Sequence, residues 1–79
     1  MDADKFAKLE GLIARLRPEE QQIAREYLHE TPAYDLAHAL SVDQTKVLRI
    51  ARTLQVYPRA VRRALERLRE QGRQEGLWL

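Results

Sequence analysis

The stretch LAHALSVDQTKVLRIARTLQVYPRAVRRAL, Leu36 to Leu65, decides how this chain is read, because it nearly repeats itself every fourteen residues. Leu36-Ala37, Leu40, Val42, Val47 and Arg49 return as Ile50-Ala51, Leu54, Val56, Val61 and Arg63. Each copy has the spacing of a helix, a tight turn and a second helix. A small residue (Ala37, then Ala51) stands where the helices cross closely, and a valine in the turn (Val42, then Val56) points inward. A second valine five positions on (Val47, then Val61) faces the core. The copies overlap, so the middle helix belongs to both.

Outward from this stretch, the apolar spacing predicts five helical segments and leaves no alternating run long enough for a strand. The first is expected over 3–16, where Phe6, Leu9, Ile13 and Leu16 form a seam that Leu12 widens. The second is expected over 18–30, opened by Pro18, Glu19 and Glu20, with Ile23, Ala24, Tyr27 and Leu28 buried. A short third segment is expected over 32–40, with Thr31 as its cap and Pro32 opening it. The fourth is expected over 43–54, capped by Asp43. Its stripe of Val47, Ile50, Ala51 and Leu54, with Leu48 beside it, is wide enough to be covered from two directions. The fifth is expected over 58–72, with Pro58 first and Gly72 as its stop. The implied fold is all-α: a single domain of about five short helices, with an N-terminal amphipathic helix over 1–17, a core over 18–72 and an apolar tail over 73–79.

Length and composition narrow the function classes. Seventy-nine residues make one small domain, and the absence of cysteine removes disulfides, thiolate zinc sites and a cysteine nucleophile. No apolar run reaches the roughly 20 residues of a membrane span, and the N-terminus lacks an apolar signal segment, so a cytoplasmic protein is expected. His29 and His38 lie at no metal-ligand spacing, and no Ser–His–Asp group or phosphate loop stands out. No enzyme, metal or cofactor is expected. The charge is uneven: residues 1–40 carry five Lys/Arg and eight Asp/Glu, a balance of −3, whereas residues 41–79 carry nine and four, a balance of +5. An anionic partner for the C-terminal half follows as an expectation.

Residues 50–72, IARTLQVYPRAVRRALERLREQG, resemble the helix-turn-helix of bacterial transcription regulators, especially the GntR-type winged-helix group. The matching frame is Ile50-Ala51, Leu54, Val56, Val61, Arg63-Ala64-Leu65, Leu68 and Gly72. The segment DQTKVLRIARTLQVYPRAV is loosely similar to phage Cro-type repressors. The resemblance implies a DNA-binding regulator of bacterial or phage origin whose second helix enters the major groove of double-stranded DNA. Two departures stand out. Ser41 and Gln55 occupy turn positions where such motifs usually carry glycine, and only RQEGLWL remains where a wing would follow.

The second copy is the better DNA reader. Its outward positions are Tyr57, Pro58, Arg59, Arg62 and Arg63, and guanidinium groups suit phosphate and guanine. The first copy offers Asp43 and Leu48 at equivalent places. Lys46, Arg49 and Arg52, along one side of the fourth helix, are candidates for flanking phosphates. Phe6, Leu9, Ile13 and Leu16, with the tail Leu77, Trp78 and Leu79, are candidates for a homodimer or partner contact; packing within the chain is the alternative for both. A competing function is a helical module that docks on RNA polymerase or another nucleic-acid enzyme. Exposure of Arg59, Arg62 and Arg63 separates the two readings.

Overall fold

Residues 3–30 and 44–77 are described by the computed structural model, and every regular element among them is helical. Helix α1 spans Ala3–Ala14, α2 spans Pro18–Glu30, α3 spans Gln44–Leu54 and α4 spans Pro58–Gln74. The expected third segment over 32–40, the cap Asp43 and the first copy of the repeat up to Val42 lie outside the described residues. Among the described residues there are four helices, at four of the five expected places.

Helix α1 stops two residues short of the expected end. Arg15 and Leu16 donate their N–H groups three residues back, to Leu12 (3.1 Å) and Ile13 (3.0 Å), tightening the last turn. Pro18 disfavours a helical conformation at Arg17, so the chain turns there. Helix α2 then opens as expected at Pro18. Its third residue, Glu20, reaches back and accepts the Arg17 N–H at 3.2 Å, half of a capping box. Glu20 is only 7% exposed, and its second oxygen lies 3.7 Å from Arg67 Nε on α4. One carboxylate therefore caps α2 and ties it to α4. Glu20→Ala removes both contacts and is expected to lower stability by about 1–2 kcal/mol. Glu20→Gln keeps the capping oxygen and is expected to lose less than half as much. Urea denaturation distinguishes these outcomes, and equal losses would show that the cap contributes little.

The core is shared by all four helices. Leu9, Leu12, Ile13 and Leu16 from α1 and its turn meet Ile23, Ala24 and Tyr27 from α2. Val47, Ile50 and Ala51 from α3, and Val61, Ala64, Leu65 and Leu68 from α4, complete the cluster, with Leu77 closing one end. Helices α2 and α4 each pack on all of the other helices described, so the domain is built around this pair. Leu48 corrects an expectation: it is 44% exposed and does not join the buried stripe of α3, which α2 and α4 cover between them.

The turn joining α3 to α4 is three residues, Gln55 to Tyr57. Gln55 adopts φ +56°, the left-handed region that glycine favours. The Val56 N–H donates to the Ala51 carbonyl at 2.9 Å and the Gln55 N–H to the Arg52 carbonyl at 3.3 Å, the paired bonds of a Schellman ending. Val56 is thereby set against the core. The turn keeps the glycine-type geometry without the glycine. Gln55→Gly is expected to raise stability by about 0.5–1 kcal/mol, since relief of left-handed strain exceeds the added chain entropy. A urea midpoint that is unchanged or lower would contradict this.

Helix α4 ends by the same device, two residues later than expected. It runs through Gly72, which is buried, to Gln74. The left-handed residue is Gly76 (φ +76°), with Leu77 donating to the Gly72 carbonyl at 2.8 Å and Gly76 to the Arg73 carbonyl at 3.1 Å. Leu77 folds onto the core as a result, and Arg15 reaches Glu75 at 2.8 Å across the outside of the joint.

Candidate nucleic-acid interface

Helix α4 is strongly two-faced. Val61, Ala64, Leu65, Leu68 and Gly72 are buried, and Arg59, Arg62 and Arg63 are exposed. Charge is also segregated along its length. Residues 57–65 hold three arginines and no acid, whereas Glu66, Glu70 and Glu75 balance Arg67, Arg69 and Arg73 further on. Among the described residues, none of Arg52, Arg59, Arg62 and Arg63 forms an ion pair. The pairing Arg62–Glu66, open to an i,i+4 helix, is not made. Arg67 turns instead to Glu20 of α2, and Glu70 bonds Arg73, which holds the Arg73 proton more firmly through the hydrogen bond and the opposite charge.

At the start of α4, Tyr57, Pro58, Arg59, Ala60 and Arg63 line a surface depression of 590 Å³. Tyr57 is 82% exposed, the most exposed large apolar side chain among the described residues. Its backbone adopts the extended conformation of an N-cap (φ −75°, ψ 145°), but no side chain caps the helix there. Pro58 has no N–H to satisfy, and the Tyr57 carbonyl accepts from Ala60 (2.9 Å) and Val61 (3.2 Å). The opening of α4 therefore leaves the positive end of its dipole without a side-chain cap, at the depression that Arg59 and Arg63 line.

Helix α3 divides its three cations differently from the expected single side. Lys46 is half-buried, with Nζ 5.3 Å from the centre of the Tyr27 ring, so it lies on the flank packed against α2. Arg49 and Arg52 are exposed on the outer face. Lys46 thus stands apart from Arg49 and Arg52 rather than in line with them.

Four of the residues named as candidate dimer contacts are used within the chain. Leu9 (2% exposed), Ile13 (0%), Leu16 (5%) and Leu77 (9%) all belong to the domain's own core. A dimer built on these four would first have to open that core. The side chain of Phe6, and Trp78 and Leu79, lie outside the described residues. So do His38, Ser41 and Asp43. His29 is exposed near the end of α2. Among the described residues, no three His, Asp or Glu side chains gather as a metal site, and no helix is long and apolar enough to cross a membrane.

Sequence reasoning placed Pro58 and the arginines of α4 on its outer face but did not find the contribution of Ala60 to the depression. Its signal is the helical position, next to Arg59 in the opening turn. Comparison of the chain with family models, characterised proteins and solved structures gave no match.

Proposed function

We propose that this chain is a small DNA-binding transcription regulator that uses the first two turns of α4 as its recognition surface. The observation that carries the reading is the exposure of Arg59, Arg62 and Arg63 together, in a stretch with no acidic residue and with no ion-pair partner among the described residues. Unpaired arginines on one helix repel each other, an arrangement that an anionic partner relieves. Support also comes from the three-residue turn between α3 and α4 and from the uncapped opening of α4, both suited to a helix entering the major groove. In this mechanism guanidinium groups contact base edges and phosphates, and regulation follows from occupancy of the site.

The test is fluorescence anisotropy with labelled duplex across a salt series. Log affinity is expected to fall linearly with log salt, with a slope near ~−0.9 for each phosphate neutralised. Three to five contacts correspond to a slope of roughly −3 to −5. No measurable binding at ~50 mM salt, where the phosphate contribution is strong, sinks the reading.

A second reading rests on Leu48 and Tyr57, large apolar side chains left at the surface. In that reading the chain docks on RNA polymerase or a related enzyme and leaves DNA to its partner. It predicts binding that is insensitive to Arg62→Ala and Arg63→Ala but lost on Leu48→Ser.

A further inference from the structure

The three arginines of α4 are not equivalent in direction. At about 100° per residue, the buried side chains Val61, Ala64, Leu65, Leu68 and Gly72 fix the direction of the core. Arg59 and Arg63 point within about 20° of the opposite direction, the crest of the helix. Arg62 stands about 80° away from the crest, on one flank. The depression confirms the grouping, since Arg59 and Arg63 line it together and Arg62 does not.

On the reading that α4 enters DNA, this difference assigns roles. A helix lying in the major groove brings its crest against the base edges and its flanks against the two backbones. We infer that Arg59 and Arg63 are the specificity-determining pair, each bidentate to a guanine, and that Arg62 is a phosphate contact that positions the helix. Four residues of helix advance about 6 Å, against a base-pair rise of ~3.4 Å. The two guanines therefore lie about two base steps apart. The crest beyond the second turn carries Glu66 and Glu70, whose charge opposes closer approach to the phosphates. Reading is thus confined to the opening two turns, and the footprint of one copy is short.

The inference rests on the DNA reading, and its test separates the two. The probes are a duplex selected by the wild-type protein from a random pool and a shuffled duplex of the same composition, each titrated across salt. Arg59→Ala and Arg63→Ala are expected to cut the preference for the selected duplex about tenfold or more. Their effect on the salt slope is small. Arg62→Ala is expected to weaken both duplexes by the same factor and to reduce the salt slope by about 1. Lysine distinguishes the roles further: Arg62→Lys retains slope and affinity, whereas Arg59→Lys and Arg63→Lys do not recover the preference, because an ammonium lacks the planar fork. All of these side chains are exposed, so the variants fold. If Arg62→Ala alone loses the preference, or if the wild type binds both duplexes equally, the assignment is overturned while the DNA reading stands. If the wild type binds neither, both fall.

Discussion

With Arg59, Arg62 and Arg63 all replaced by alanine, the protein is expected to lose at least about a hundredfold in affinity for duplex DNA while keeping its fold. Arg59 and Arg63 as base contacts contribute on the order of 1–3 kcal/mol each and Arg62 as a phosphate contact about 1 kcal/mol; 1.4 kcal/mol is a factor of ten, so even the low end of the three together exceeds a hundredfold. The Arg62→Ala/Arg63→Ala pair alone is expected to cost at least about tenfold. Stability is a separate matter. The three side chains are exposed and make no ion pair among the described residues, so the thermal midpoint changes little or rises slightly as the mutual repulsion disappears. Anisotropy and thermal melting on the same samples check both statements. Retained affinity in a folded triple variant would remove α4 as the contact surface.

The second large effect concerns the scaffold. Leu68 is fully buried on α4, which packs against the other three helices described, so Leu68→Ala leaves a cavity where α4 meets its neighbours. Such a truncation costs about 2–5 kcal/mol, the lost transfer energy plus the unfilled space. A 79-residue domain has a total stability of roughly 4–12 kcal/mol, so the variant sits near the edge of unfolding. The expected fall in thermal midpoint is on the order of 10–20 °C, or loss of a cooperative transition altogether. Urea denaturation of Leu68→Ala beside Leu48→Ala provides the contrast. Leu48 is 44% exposed and its truncation is expected to cost less than about 1 kcal/mol. Equal losses at the two positions would contradict the described core.

What could be read from the chain, and what could not, divides along the range of the forces involved. Helices α2 and α4 begin where Pro18 and Pro58 place them, because the fixed φ and missing N–H of proline are local properties. The buried stripe of α4 was legible for the same reason: Val61, Ala64, Leu65 and Leu68 recur at the helical period. The ends were less so. Gly72 and Gly76 are both glycines near the end of a helix, and local propensity does not choose between them. The choice is made by Leu77, which reaches the core only if the left-handed residue is Gly76. Gln55 shows the converse, a left-handed position that the helix-turn-helix spacing marks although the residue type does not, because packing of Val56 overrides the preference for glycine.

Contacts between distant residues were invisible in the same sense. Glu20 looked like a helix-opening acid, and its pairing with Arg67 depends on how α2 lies on α4. Lys46 shared a helix with Arg49 and Arg52, but the ring of Tyr27 draws it to another flank. The seam of Leu9, Ile13 and Leu16 has the same spacing whether it meets a twin or the chain's own core, so only its burial decides. For the candidate site, the number of exposed arginines followed from periodicity. Their lack of partners did not, because Glu66 stood at pairing distance from Arg62 along the helix.

Amide chemical shifts recorded while unlabelled duplex DNA is added to the labelled protein test the central claim most directly. The account predicts that the largest changes fall on residues 57–63, with smaller ones at Arg49 and Arg52, and that the exposed faces of α1 and α2 remain unchanged. Changes centred on α1 or α2, or none at all with DNA in excess at low salt, would contradict it.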